Sequence, residues 1–168
     1  SGKEKKFNLN KYAKLVNTFA KNKKAKIIFE PGRFIIGNTS VLISKIIYIK
    51  KSNNKNFIIL DAGMNDLMRP ALYGAHHKII PLKKNNKRFS ENIEFVGPVC
   101  ESSDTFLKQK SFSKVSAGDY VAITDVGAYG MSLTSNYNTR PLIAEIMISG
   151  SKHKLIKKRQ NLESLINN

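Results

Sequence analysis

Cysteine, tryptophan and acidic side chains are scarce in this sequence of 168 residues. The single cysteine, Cys100, excludes an internal disulfide framework and is typical of a reducing, cytoplasmic setting. No apolar stretch is both long enough and free enough of lysine to cross a bilayer, so we expect no membrane partner. The N-terminal residues also lack the charged and then apolar pattern of a secretory leader.

The shortage of acids leaves 29 Lys and Arg against 12 Asp and Glu, a net charge of +17. Such an excess of positive charge is often found in nucleic-acid-binding proteins. Here, however, the lysines stand beside asparagines in loop-like runs, and aromatic residues are not interleaved with them as in single-strand-binding surfaces. A codon bias that enriches Lys, Asn and Ile together explains the same pattern. We therefore expect no nucleic-acid partner, and a basic nucleic-acid-binding β-barrel stays as a distant alternative.

The first 36 residues have the pattern of an α/β unit. An amphipathic helix is predicted from apolar residues at i, i+3, i+4 and i+7, namely Tyr12, Leu15, Val16 and Phe19. Asn8 or Asn10 can cap its start. The following segment KAKIIFE predicts a short buried strand. Because one helix and one strand cannot cover both faces of a parallel sheet, we expect this part to end a larger α/β domain.

The rest of the chain, residues 37–168, has the pattern of a small all-β domain. Two β-branched runs, VLISKIIYIKK and NFIILDAG, are separated by SNNK and predict a hairpin. Further strands are predicted in IEFVGP, DYVAITDVG and PLIAEIMISG, at spacings typical of antiparallel pairing. GSKHKLIKKR is predicted to pair with the last of them across Gly150, and NLESLINN predicts a short helix. The expected fold class is mainly β with an α/β remnant, and its main domain is a Greek-key-like β-barrel.

A proline and a glycine separate an acid from a base where the predicted first strand ends. A strand ending here delivers Glu30 and Arg33 to the C-terminal rim of a sheet or barrel, where α/β proteins form their sites. Gly32 permits close approach of the backbone to a ligand, and Arg33 offers a planar fork for phosphate or carboxylate. A carboxylate such as Glu30 can bind a protonated ring nitrogen or an ammonium. A surface turn with an ion pair explains the same tetrapeptide equally well.

Three later segments also combine reactive side chains with turn residues. In GPVCESSD, Cys100 and Glu101 stand in an acidic loop, although a lone cysteine is more often a small buried hydrophobe. In DVGAYG, Tyr129 is a candidate phosphate ligand, although hairpin turns have similar sequences. In DAGMNDLMRPALYGAHH, Arg69 and Tyr73 stand one helical turn apart and can hold a carboxylate if the segment is helical. An ordinary surface helix gives the same spacing.

Taken in order and spacing, EPGR, DAGMNDLMRPALYGAHH, GPVCESSD and DVGAYG with SNYNTRP closely resemble diaminopimelate decarboxylase. The resemblance extends over nearly the whole chain, to the basic tail LIKKRQNLESL. It implies that residues 1–36 end a TIM-type (β/α)8 barrel, of the alanine-racemase-like kind, and that residues 37–168 form the C-terminal β-domain. The related ornithine and arginine decarboxylases share EPGR and a cysteine loop but lack MNDLMRPALY, and they are the alternative.

The resemblance also implies pyridoxal phosphate as cofactor and assigns residues to it. Glu30 is expected to pair with the pyridine nitrogen and keep it protonated, so that the ring can accept the electron pair released with carbon dioxide. Gly32 and Tyr129 are expected to bind the phosphate. Arg33 is expected near both the phosphate and the substrate carboxylate, and Tyr129 is also assigned to the substrate. No metal ligand is expected.

For the substrate, meso-diaminopimelate, the resemblance implies recognition at the end that does not react. Arg69 and Tyr73 are expected to hold its carboxylate, and Glu101 its distal ammonium. Cys100 is expected to handle the proton returned to the substrate carbon. Cys100 and Glu101 are expected to enter the site of the partner subunit, which implies a homodimer with shared sites.

Two departures from the family pattern bear on these expectations. The family reads Cys-Glu-Ser-Gly-Asp where this chain has Ser103 in the glycine position, which costs about 1 kcal/mol if the backbone there has positive φ. The Schiff-base lysine, the cofactor-stacking histidine and the glycine-rich phosphate loop of the family have no counterpart here, and the three histidines are expected to be structural or solvated. We therefore expect the chain to be a C-terminal portion that is inactive alone.

Overall fold

The computed structural model describes residues 7–23 and 25–166. The chain divides into two compact units, residues 1–31 and residues 32–168, which are described in turn. Within the described residues no helix combines the length and the apolar character that a membrane span requires.

In the first unit, the described residues form one helix, α1 (Leu9–Lys23), as predicted. Asn8 caps it, because its Oδ1 accepts a hydrogen bond from the Lys11 N–H at 2.9 Å. The strand predicted next is wrong: residues 25–31 are neither helix nor strand, and Ile28 is 78% exposed. A strand needs a neighbour for its backbone hydrogen bonds, and within the described residues no pairing reaches this segment.

In the second unit, residues 32–166 form eight strands and several short helices, bounded as follows. The helices are α2 (Gly32–Ile36), α3 (Arg69–Tyr73), α4 (Glu163–Ile166) and the 3-10 turns Met131–Leu133 and Tyr137–Thr139. The strands are β1 (Leu42–Ser52), β2 (Lys55–Leu60), β3 (Ile79–Pro81), β4 (Asn92–Val96), β5 (Thr105–Gln109), β6 (Tyr120–Ile123), β7 (Glu145–Ser149) and β8 (Lys152–Lys157).

Six strands form one curled sheet in the order β3-β6-β1-β2-β4-β5, which makes a half-barrel. The predicted β1–β2 hairpin is confirmed, and so is the β7–β8 hairpin, which turns at Gly150 with φ of 58°. The mainly-β fold class is therefore confirmed. The antiparallel pairing expected from the spacing of the later strands is wrong for β4, which pairs in parallel with β2. The connection between them, residues 61–91, is long enough to return the chain to the same end of the sheet.

The core lies on one face of the curled sheet. Along β2 and over residues 42–46 of β1 every second side chain is buried, as expected for a sheet with one covered face. The largest fully buried apolar side chains come from four strands and the loop before α3: Phe95, Ile46, Ile58, Leu60, Leu67, Ile93, Ile123 and Val121. Phe95 and Phe112 meet edge to face with ring centroids 4.9 Å apart. This core fixes the sheet edges from which the candidate site loops emerge.

Glu94 on β4 is a buried carboxylate between two lysines of the neighbouring strands. Its Oε2 accepts from Lys55 on β2 and its Oε1 from Lys108 on β5, both at 3.0 Å. Burial acts to raise the pKa of Glu94, but the two lysines prevail and the pKa is lowered. The folded state therefore holds a proton here less readily than the unfolded chain does.

We expect Glu94→Gln to lower the free energy of unfolding by about 1 kcal/mol near pH 7. Because the folded pKa is lowered, this stabilisation is present above the usual value of 4.5 and is lost as the pH falls below it. Urea denaturation of the chain from pH 7 to pH 3 measures both effects. In the double variant Lys55→Met/Lys108→Met, burial is the remaining influence on the pKa of Glu94 and raises it. The contribution of Glu94 to the free energy of unfolding should then decrease as the pH rises. If the free energy of unfolding of that variant depends on pH as in the unchanged chain, the two lysines do not cause the lowered pKa of Glu94.

Candidate functional site

The segment with Arg69 and Tyr73 is helical, as the carboxylate-binding prediction required. It forms α3, in which the two side chains are four positions apart. Gly74, with φ of 60°, ends the helix, and its N–H donates to the carbonyl of Pro70 at 3.0 Å. Tyr73 is 66% exposed, and α3 contacts β5. Both side chains are thus displayed on a short helix that packs against the sheet.

The cysteine loop lies between β4 and β5. Cys100 is exposed, so the interpretation as a small buried hydrophobe is wrong. The Glu101 carboxylate accepts hydrogen bonds from the Ser103 N–H and the Ser102 hydroxyl, both at 3.3 Å. These contacts lower the pKa of Glu101, the Ser103 N–H most. The loop therefore presents an ionised acid beside an exposed thiol.

Ser103 causes no backbone strain where the related family has glycine. The described non-glycine residues with positive φ are Asp125, Tyr129, Asn138 and Thr139, and Ser103 is not among them. The expected cost of about 1 kcal/mol is therefore absent. Instead, the Ser103 N–H holds Glu101, and the Ser103 hydroxyl lies 3.6 Å from the Met64 sulfur.

Asp104 fastens this loop to the segment that precedes α3. Its side chain is buried; Oδ1 accepts from the Met64 N–H at 2.7 Å and Oδ2 from the Val99 N–H at 2.8 Å. Burial raises the pKa of Asp104, against the effect of these two donors. Gly97 is required opposite it, because a Cβ there would overlap the Asp104 carboxylate. The loop with Glu101 and the turn leading to Arg69 are thus joined directly.

Arg140 fastens the same turn from the other side. Its Nε donates to Asn65 Oδ1 at 2.9 Å, and its Nη2 lies 3.3 Å from Asp66 Oδ2 and also donates to the Asp61 carbonyl. The Asp66 side chain is only 2% exposed and accepts a further hydrogen bond from the Gly63 N–H at 2.9 Å. Arg140 belongs to SNYNTRP, so two of the motifs singled out in the sequence meet here.

The loop with Tyr129 is fastened to the end of α2. The Gly127 N–H donates to the Gly37 carbonyl at 3.0 Å, and a Cβ on Gly127 would overlap the carbonyl oxygen of Ile36. Tyr129 has φ of 60° and is 56% exposed. The helix that begins with Gly32 and Arg33 and the loop that displays Tyr129 therefore form one continuous surface element of the second unit. Glu30 lies in the first unit and is exposed.

His77 is buried and has a structural role, as expected. Its Nδ1 donates to the Thr124 carbonyl at 2.9 Å, and its Nε2 is buried without a hydrogen-bond partner. Burial lowers the pKa of His77, so the ring is held in its neutral form. His76 and His153 are exposed.

A cavity of about 660 Å³ lies away from all these residues. Its charged lining residues are Lys51, Lys83, Lys114, Glu91 and Asp119. None of the predicted site residues lines it. The predicted residues are instead at exposed or half-exposed positions on loops and short helices of the described part of the chain.

Comparison with known proteins places this arrangement in a family. Residues 19–127 match the family described as pyridoxal-dependent decarboxylase, C-terminal sheet domain. The chain belongs to the pyridoxal-dependent decarboxylases. Among members of this family, diaminopimelate decarboxylase of Zymomonas mobilis is 47% identical over 155 residues, which are 92% of this chain and 36% of that protein.

Solved structures of pyridoxal-dependent decarboxylases have the same fold. The crystal structure of diaminopimelate decarboxylase from Helicobacter pylori complexed with L-lysine is 42% identical, with a TM-score of 0.88 over 99% of this chain and 41% of that one. An arginine decarboxylase of Paramecium bursaria Chlorella virus has a TM-score of 0.67 at 19% identity, over 75% of this chain and 36% of that one, a likeness of fold alone. The chain thus spans well under half the length of the relatives it matches.

Four positioning residues were missed as site residues in the sequence: Asn65, Asp66, Asp104 and Arg140. Each makes at least one contact with a segment far away in the chain. Asp104 binds the N–H of a residue 40 positions before it, and Arg140 binds Asn65 across 75 positions. The available signal was that all four stand inside the motifs that carried the family resemblance.

Proposed function

We propose that this chain is the C-terminal portion of an enzyme that decarboxylates meso-diaminopimelate to L-lysine with pyridoxal phosphate. One observation carries the proposal: buried polar contacts join three of the sequence motifs that resemble diaminopimelate decarboxylase. Asp104 joins the cysteine loop to the turn before α3, and Arg140 joins SNYNTRP to the same turn. A surface assembled from distant segments by buried polar contacts supports a role in recognition. Identity of 47% to a diaminopimelate decarboxylase supports the choice of reaction.

The residues of the second unit fit the phosphate of the cofactor. Gly32 has open space where a side chain would be, so its backbone can approach a ligand. Arg33 and Tyr129 are both exposed, and their elements are fastened together through Gly127 and Gly37. A guanidinium, a phenol and a backbone N–H are all donors suited to phosphate. When bound, the cofactor supplies a ring that accepts the electron pair left as carbon dioxide departs.

The chain's own residues would bind and orient the substrate and supply protons to the cofactor ring and the substrate carbon. Glu30 would hold a proton on the ring nitrogen of the cofactor. Arg69 and Tyr73 would bind the carboxylate at the unreacted end of the substrate, and ionised Glu101 would bind the ammonium beside it. Binding that end fixes which carboxylate is left unpaired over the ring, and so determines which one leaves. The Cys100 thiol would deliver the proton that the substrate carbon receives.

We also propose that the full-length enzyme is a cytoplasmic homodimer. Cys100 and Glu101 would enter the site of the partner subunit. The exposure of both residues at the tip of a loop supports this arrangement. The barrel completed by the rest of the protein would supply the lysine that holds the cofactor.

Carbon dioxide release by the full-length protein tests the proposed reaction. The protein, loaded with pyridoxal phosphate, is assayed with meso-diaminopimelate and separately with ornithine and arginine. Release from diaminopimelate alone is expected. Release from ornithine or arginine instead would assign the protein to the sister decarboxylases, and release from none of them would refute the proposal.

We expect Gly127→Ala to weaken cofactor binding about tenfold in the full-length protein. The new Cβ would overlap the Ile36 carbonyl oxygen, so α2 and the Tyr129 loop must separate and the phosphate donors move apart. Spectroscopic titration with pyridoxal phosphate measures the affinity. Gly118→Ala is the control for a strained backbone, because its φ of 91° disfavours alanine while the position lies outside the phosphate site, so cofactor affinity should be unchanged. Equal affinity of both variants would contradict the phosphate site.

A further inference from the structure

Asp104 joins two surface elements that are separated in sequence. Its two oxygens accept from the Met64 and Val99 N–H groups at 2.7 and 2.8 Å, one on each element. The contact between the Ser103 hydroxyl and the Met64 sulfur, at 3.6 Å, adds a second link. Directly after Asp104 the chain enters β5, which contacts α3. The two elements therefore meet at one buried carboxylate.

A displacement of Met64 would be transmitted to α3 through a tight, buried turn. The N–H groups of Asp66 and Leu67 both donate to the Gly63 carbonyl, at 2.9 and 3.3 Å. Leu67 is 1% exposed and Asp66 is 4% exposed, so the turn is packed and cannot absorb the displacement freely. Arg69 begins α3 two residues later.

We propose that Asp104 is a positioning residue that couples the two active sites of the dimer. This inference rests on the proposed function, in which α3 recognises the substrate of its own subunit and the loop with Glu101 enters the site of the partner. The Asp104 carboxylate then fixes the positions of both α3 and the loop with Glu101, which serve different active sites of the dimer. Its loss is expected to disturb both sites, although Asp104 contacts neither substrate.

Mixed dimers of the full-length enzyme separate the two effects. One chain carries Arg69→Ala and the other Glu101→Ala, each with its own affinity tag. If sites are shared, one site of the mixed dimer lacks both groups and the other is intact, so the mixed dimer has about half the wild-type activity. Each parent homodimer carries one of the two substitutions in both chains and is therefore impaired at both sites. The intact site uses Glu101 from the first chain and Arg69 from the second.

Asp104→Asn is then introduced into either chain of the mixed dimer. We expect the KM for meso-diaminopimelate to rise about fivefold in both placements, with cofactor absorbance unchanged. Asp119→Asn in either chain is the matched control, because Asp119 also accepts from a backbone N–H, that of Ser116 at 2.8 Å, but outside the site. Should Asp104→Asn prevent folding, Met64→Leu removes the contact between the Met64 sulfur and the Ser103 hydroxyl but leaves the Ser103 contacts with Glu101, and it is expected to raise KM in the same two placements.

The possible outcomes are distinct. A rise in KM when Asp104→Asn is in the Glu101-donating chain alone would show that Asp104 holds only its own loop, and would overturn the coupling. A mixed dimer no more active than its parents, with active wild type, would overturn it as well, because the sites would not be shared. Wild-type enzyme without activity toward meso-diaminopimelate would refute the proposed function and this inference together.

Discussion

Replacing Arg69 with alanine in the full-length protein is expected to lower kcat/KM for meso-diaminopimelate by about 100-fold. Under the proposed function the variant loses a charge-assisted pair with the carboxylate at the unreacted end of the substrate, and such pairs contribute about 1.5–3 kcal/mol. Because that carboxylate is bound alike before and during the reaction, most of the loss should be a rise in KM. Steady-state assay of carbon dioxide release measures both constants.

Two companion variants make the Arg69 result specific. Arg88→Ala removes another arginine of the sheet domain, whose Nε donates to the Ser111 hydroxyl at 2.8 Å, and should leave both constants unchanged. Tyr73→Phe removes only the second donor on α3 and should raise KM about fivefold. A fall in kcat at constant KM for Arg69→Ala would contradict a role in binding the unreacted end.

Arg140→Ala is expected to lower the free energy of unfolding of the chain by about 3 kcal/mol. The change removes the only cation that contacts the Asp66 side chain within the described residues, and that side chain is 2% exposed. A buried carboxylate without its counter-charge carries a desolvation penalty that the remaining donors, the Gly63 N–H and the Asn65 side-chain amide, only partly offset. Urea denaturation followed by circular dichroism measures the loss.

A second substitution tests whether the buried charge causes the loss of stability. Adding Asp66→Asn to Arg140→Ala removes the uncompensated charge and should recover part of the stability, so the two changes are not additive. Arg159→Ala, at an exposed position after β8, should change the stability by less than about 0.5 kcal/mol. A loss under about 1 kcal/mol for Arg140→Ala would show that water replaces the guanidinium.

The local elements of the fold were predictable from the sequence, and the long-range ones were not. The α1 helix and both hairpins follow from spacing, capping and turn chemistry within about 20 residues. Strand β3 was missed and the parallel pairing of β2 with β4 was not foreseen, because a pairing partner 30 or more residues away leaves no local signal. Strand β5, which pairs with β4 across the cysteine loop, was also missed. The strand predicted in KAKIIFE has the right residues, but none of the described residues pairs with it.

The candidate site was predictable to a similar degree. Arg69, Tyr73, Cys100 and Glu101 were expected from family resemblance, and the structure displays all four on exposed or half-exposed positions. The residues that hold them were not expected, because a buried aspartate such as Asp104 is recognised only when its donors are known. Candidate ligand-binding side chains can be predicted from residue type. The residues that fix their positions can be identified only once the tertiary contacts are known.

The parallel pairing of β2 with β4 sets an order of folding events. The β1–β2 hairpin turns through two residues and can form within about 1–10 μs. β4 can add to it only after residues 61–91 have closed into a loop, and closure becomes costlier with length. The α3 helix lies inside that loop, with Arg69 and Tyr73 on it. We therefore expect a nascent chain to place α3 late, when β4 docks. Under the proposed function, a polypeptide arrested at the hairpin stage has a folded hairpin but does not bind the substrate.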